Sequence, residues 1–140
     1  MGTAHEYGPG FRQVTLPAAA PAAGLARQAV RVAVADWRLA YLADEALLLV
    51  SELVTNAIQH AGPDTPTTVL RLEYAGAWLR IEVHDRCPHQ PRPRIPGSLD
   101  ESGFGLVLVD ALAAKWGVQR TGAGKAVWAE LDARPGGAAQ

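Results

Sequence analysis

The chain has 140 residues, enough for one domain with a real hydrophobic core. Apolar residues make up 49% of it and charged residues 19%, which excludes a disordered chain. The formal net charge is −1 and Lys and Arg nowhere form a dense block, which excludes a broad nucleic-acid-binding face.

Residues 1–10 contain Gly8-Pro9-Gly10 and no apolar run, so they read as a flexible leader and not as a signal peptide. The longest aliphatic run, residues 46–50, is too short to cross a bilayer. Cys87 is the single cysteine, so no disulfide forms within the chain, as suits a reducing compartment. A cytoplasmic protein without a membrane partner is expected.

A strand is expected over residues 11–16, where Phe11, Val14 and Leu16 supply bulk. Pro17 and Pro21 bracket an alanine-rich turn, and Pro21 suits a helix start because its missing N–H would have no intrahelical partner there. Leu25, Ala29, Val32 and Ala33 recur at helical spacing, which predicts a helix over about 21–37.

A second helix is predicted over about 42–61, with Asp44 and Glu45 in its first turn and Gly62-Pro63 at its end. At ~100° per residue, Ala46, Leu47, Val50, Leu53, Val54, Ala57 and Ile58 share one broad arc. Glu45, Glu52, Asn56 and Gln59 are expected on the opposite, polar side, with His60 at its edge. In the next two strands Leu70, Leu72 and Tyr74 alternate with Arg71 and Glu73, and Leu79, Ile81 and Val83 alternate with Arg80, Glu82 and His84. The same parity places Asp85 on the apolar face at the strand's end, where a carboxylate needs a specific donor.

Residues 86–101 hold Pro88, Pro91, Pro93 and Pro96 between arginines, a long loop of the kind that carries a function. Gly103-Phe104-Gly105 then opens a helix running from Leu106 to about Ala114, and strands near 116–120 and 126–131 close the domain. Residues 133–140 read as a disordered tail. The fold expected is an α+β two-layer sandwich, with a mixed, largely antiparallel sheet and about three helices on one face. The domain spans residues 11–132.

Three constellations bear on chemistry. Glu52 and Asn56, four residues apart, lie on one helix face roughly 6 Å apart along the axis. An amide oxygen there suits Mg²⁺, which prefers hard oxygen ligands and keeps several waters, and leaves the carboxylate able to accept a proton. Asp85 could accept a hydrogen bond from an exocyclic amine such as that of adenine. Ser102-Gly103-Phe104-Gly105-Leu106 is a glycine turn at a helix N-terminus, where backbone N–H groups favour phosphates. Taken singly, each also reads blandly: a solvated helix face, a turn residue, an ordinary helix start.

Their order resembles the GHKL (Bergerat-fold) ATPase superfamily over about residues 11–131. Glu52-x-x-x-Asn56 resembles its N box, Asp85 its adenine-binding aspartate, and Gly103-x-Gly105-Leu106 its later glycine box. Residues 86–101 resemble the ATP lid, and Gly122-Ala123-Gly124-Lys125 the final glycine-containing hairpin. Within the superfamily the chain is most similar to small stand-alone anti-sigma-factor serine/threonine kinases, given its length, the extension of the N box to His60 and the lack of a phospho-acceptor helix.

The resemblance implies Glu52 as general base, Asn56 as Mg²⁺ ligand and Asp85 as adenine contact. It implies phosphate contacts from the backbone of Gly103, Phe104 and Gly105, with His60, Leu106 and Lys125 also near the nucleotide. The cofactors implied are ATP and Mg²⁺, and the partners a sigma factor and an anti-anti-sigma antagonist phosphorylated on Ser or Thr. Relatives of this type often form homodimers. A regulatory module that sequesters a partner without catalysis is the alternative. One departure stands out: Asp85-Arg86-Cys87-Pro88 lacks the glycines that the family carries after its aspartate.

Other patterns do not carry a function. His84-x-x-Cys87-x-His89 has three soft ligands but no clear fourth for a metal. Gly124-Lys125 is not a P-loop, since Gln119 stands at the upstream glycine position, Ala126 replaces Ser/Thr and a strand follows. Trp37, Trp78, Trp116 and Trp128 are scattered and read as packing residues.

Overall fold

In a computed structural model, residues 5–8, 10–60, 66–86, 104–122 and 124–135 are described. The chain forms β1 (His5–Gly8), β2 (Phe11–Pro17), α1 (Ala22–Asp36), a 3₁₀ turn (Ala40–Leu42), α2 (Ala43–His60), β3 (Thr67–Tyr74) and β4 (Trp78–Arg86). Then come α3 (Phe104–Leu112), β5 (Lys115–Arg120) and β6 (Gly124–Asp132). The six strands make one sheet in the order β1-β2-β3-β4-β6-β5, and every ladder in it is antiparallel.

The expected α+β two-layer sandwich is the observed one, and its sheet is antiparallel throughout the described strands. Alternation decides which face is buried. In β4, Leu79, Ile81, Val83 and Asp85 are buried while Arg80, Glu82 and His84 are half-exposed. In β6, Val127, Ala129 and Leu131 lie opposite Val83, Ile81 and Leu79 and so share their face. Leu49, Val50, Leu53 and Val54 of α2 and Val30, Ala33 and Val34 of α1 close this core. The helix α2 is central, touching α1, α3, β4 and β6.

The helix α1 ends in a Schellman motif without a glycine. The N–H of Leu39 donates to Val34 O at 2.7 Å and that of Arg38 to Ala35 O at 3.2 Å. Arg38 takes φ 60°, the left-handed conformation usually given to glycine at this position. Leu39 and Val34 are both buried in the core.

Two expectations about the ends change. The leader is not loose throughout, because His5–Gly8 pairs with Phe11, Arg12, Gln13 and Val14 of β2. The tail does not begin at 133 either. Ala133 is buried, its N–H donates to Ala77 O at 3.0 Å, and its carbonyl accepts a hydrogen bond from the Tyr41 hydroxyl. Residues 87–101, the lid-like segment, lie outside the described residues.

The sheet face away from the helices carries a lattice of charge. Arg80 binds Glu82 and, at 2.8 Å, Glu130, while His84 Nε2 lies 2.8 Å from Glu82. The Arg80 guanidinium also stacks 4.1 Å from the Trp128 ring centre. Gly117 makes room for that indole, since a Cβ there would lie 3.0 Å from it.

Candidate functional site

Among the described residues the buried polar or charged ones are Asn56, Thr68 and Asp85. A carboxylate without solvent is costly unless something donates to it, so such a group in an otherwise apolar interior marks a built site. Thr68 and Asp85 are directly opposite each other in the β3–β4 ladder. The Thr68 hydroxyl donates to His84 O at 2.8 Å, which joins the two strands one residue before the carboxylate. Asn56 belongs to α2, the helix that packs on β4.

A row of residues on the helix side of the sheet runs through this point. Leu16 opposes Thr68, Thr68 opposes Asp85, Asp85 opposes Lys125, and Lys125 opposes Arg120. The next row inward, Val14, Leu70, Val83, Val127 and Val118, is entirely apolar. The change from apolar to polar within one step locates the end of the core and the beginning of the site.

Asp85 therefore stands where strand parity places it, on the apolar face, 7% exposed. Asn56 does not stand where the helical wheel places it: it is 4% exposed and not on a polar outer face. The reason lies in the packing of α2. A helix flanked by two others as well as a sheet buries a wider arc than a surface helix does, and Asn56 is only ~60° round the axis from buried Leu53. The solvent side of α2 is Asp44, Leu48, Thr55 and Gln59. Glu45 and Glu52 sit at the rim, half-buried. Ser51, next to Glu52, accepts a hydrogen bond from Arg27 of α1 at 2.9 Å. Glu52 and Asn56 turn ~100° and ~140° away from that contact, to the flank not taken by α1.

His60 is the last residue of α2. Phe104, Gly105 and Leu106 make the first turn of α3, whereas Gly103 lies outside the described residues. Lys125, expected near the nucleotide, is half-buried across the ladder from Asp85. Of the metal pattern, His84 is bound to Glu82 on the outer face, and Cys87 and His89 lie outside the described residues. No cluster of metal-ligating side chains occurs among the described residues. Trp116 donates to Asp110 at 2.8 Å and Trp37 lies under Arg12, so both are packing residues as expected.

Thr68 was not legible as a site residue, although its parity with Leu70 and Leu72 puts it on the core face. A hydroxyl at a strand's first turn, in phase with the core, was the available signal.

The donor set suits a nucleotide: a buried acceptor for an amine, a buried amide and a rim carboxylate on one helix flank, and a helix start that begins with Phe104-Gly105. A hard amide oxygen such as that of Asn56 is of the kind that suits Mg²⁺ better than a softer metal. No helix among the described residues is long and apolar enough to cross a membrane.

Parts of this chain are similar to known proteins. An uncharacterized protein of Streptomyces coelicolor is 40% identical over 88 residues, which make up 61% of this chain and 83% of that protein. The blue-light-activated histidine kinase of Erythrobacter litoralis EL346 is similar at 31% identity and a TM-score of 0.51, over 71% of this chain and 33% of the kinase. A structure of the histidine kinase domain from that protein aligns at 32% identity and a TM-score of 0.44, over 65% of this chain and 44% of that structure. The chain thus spans less than half the length of either kinase structure. The model of the histidine kinase-like ATPase domain matches residues 16–131, and the chain belongs to that family of ATP-binding domains.

Proposed function

We propose that this domain binds Mg·ATP as a regulatory serine/threonine protein kinase of the anti-sigma-factor type. The observation that carries the reading is the coincidence of Asn56, Thr68 and Asp85 as the buried polar residues of the described core. Asp85 accepts from the adenine amino group at the end of β4. Asn56 would hold Mg²⁺, which would supply charge neutralisation at the phosphates. The first turn of α3, with Gly103 before it, donates backbone N–H groups to phosphate oxygens.

Glu52, at the rim of the same helix flank, accepts the proton from a Ser or Thr hydroxyl of a protein substrate. The hydroxyl oxygen bonds to the γ-phosphorus as the bond to the β–γ bridging oxygen breaks, and ADP leaves. The substrate is an anti-anti-sigma antagonist, and a sigma factor is the second partner. The functional unit includes residues 11–132, with 86–101 as its lid.

Calorimetry with Mg·ATP tests the site, and no heat of binding at millimolar nucleotide would sink the reading. Glu52→Ala should keep binding and lower transfer by about 10²–10⁴-fold. Retained transfer in that variant excludes Glu52 as the base. Asn56→Ala should weaken Mg²⁺-dependent binding while leaving the Mg²⁺-free affinity unchanged.

A second reading, a module that binds nucleotide and sequesters a partner without transfer, is favoured by one feature. Asp85-Arg86-Cys87-Pro88 lacks glycines for close backbone approach. ATP binding with no phosphate incorporated into any partner would select it.

A further inference from the structure

Thr68 begins the buried run of β3 and is in phase with Leu70 and Leu72, so its side chain leaves the helix face of the sheet. It is 2% exposed, and a hydroxyl withdrawn from water needs a partner of its own. That partner is the His84 carbonyl, to which the Thr68 hydroxyl donates at 2.8 Å. A hydroxyl has one proton to give, so this bond uses the whole donor capacity of the side chain. The carbonyl of His84 belongs to the peptide unit that continues into Asp85.

The bond sits where the sheet needs it. Thr68 and Asp85 form the end rung of the β3–β4 ladder, and every other rung lies to one side of that pair. An end rung opens more readily than an inner one, because backbone pairing supports it from one direction only. His84 is tied on the outer face as well, where its Nε2 lies 2.8 Å from Glu82 Oε1 and Arg80 in turn holds Glu82. The residue before the carboxylate is thereby held twice, by Thr68 through its carbonyl and by Glu82 through its ring.

We propose that Thr68 is a positioning residue for base recognition: its bond to His84 O locks the end rung and so aims the Asp85 carboxylate, and Thr68 does not itself touch the base. A hydrogen bond weakens steeply once its acceptor tilts or shifts, so the acceptor has to be held within about 0.5 Å of its place. A carboxylate held in this way accepts from an amine and repels a carbonyl oxygen in the same position. Thr68 thus sharpens the choice between a purine that carries an amino group and one that carries a carbonyl. The proposal rests on the assignment of Asp85 as the adenine contact.

The test is calorimetry on the full chain with ADP and with inosine diphosphate, which has a carbonyl where ADP has its amino group. The wild-type protein should prefer ADP. In Thr68→Val, which keeps the shape and removes the hydroxyl, ADP affinity should fall about fivefold while inosine diphosphate affinity stays the same. Thr68→Ser restores the hydroxyl and should recover the wild-type preference. An unchanged preference in Thr68→Val, whatever its stability in urea, would overturn the proposal and leave Thr68 a purely structural residue. Equal losses for the two nucleotides would overturn it too, as would a Thr68→Ser variant that behaves like Thr68→Val. A wild-type protein that binds neither nucleotide, or binds both alike, sinks the assignment of Asp85 to adenine and the proposal with it, and shows this before any variant is made. Thr68→Ala carries the same expectation as Thr68→Val, so the comparison is decided by whichever of the two folds.

Discussion

Asp85 is buried at 7% exposure, so its carboxylate has little water to fall back on. Replacing it by Asn keeps the shape and removes the charge, and an amide oxygen is a weaker acceptor for an amine. Asp85→Asn should weaken Mg·ATP binding by at least tenfold, equivalent to about 1.4 kcal/mol, in the same calorimetric assay. Thr68→Val should act differently: it removes the bond to His84 O and costs about 1 kcal/mol of stability in urea unfolding. Asp85 was legible from sequence because strand parity is a two-residue rule that tertiary packing rarely overrides. Asn56 was half-legible. Its spacing from Glu52 was right, but its burial depends on what flanks α2, which no periodicity reveals.

At the level of elements, Arg38 closes α1 in a conformation that disfavours any side chain with a Cβ. Arg38→Gly should therefore stabilise the domain by about 0.5–1 kcal/mol, seen as a higher melting temperature with unchanged nucleotide binding. Gly10 shows the converse. It takes φ 69°, and a Cβ on it would come within 2.5 Å of Tyr74 O, while its own carbonyl accepts from Tyr74 N–H. Gly10→Ala should destabilise by about 2–3 kcal/mol in denaturant unfolding, because left-handed strain and a backbone clash add together. The helices and β2–β6 were legible because each has a run of apolar residues at one period. β1 was not, since His5-Glu6-Tyr7-Gly8 shows no apolar alternation and its pairing comes from backbone hydrogen bonds to β2.

For the molecule as a whole, the two faces of the sheet have different chemistry. The helix face is a hydrocarbon core that ends in the polar row, and the outer face is the lattice of Arg80, Glu82, His84 and Glu130. The Glu82 carboxyl is held down at about 2 from an ordinary 4.5, first by its hydrogen bond with His84 and then by Arg80. The folded state therefore binds fewer protons than the unfolded state between those values. The stability that Glu82 contributes is complete above about 4.5 and is lost as pH falls towards 2. Acid titration of stability should show this slope, and Glu82→Gln should flatten it.

The seam between β4 and β6 joins strands separated in the chain by residues 87–123, and the opposed charges at its end come one from each side. Such a non-local pairing is slow to close, because loop entropy is lost before contacts compensate. The base pocket proposed at Asp85 would exist only after that seam has zipped to its last rung. A ligand spanning Asp85 would thus act as a clasp on the late-closing part of the sheet. Saturating nucleotide would raise the apparent folding stability by RT ln(1 + [L]/Kd) and slow unfolding from that edge.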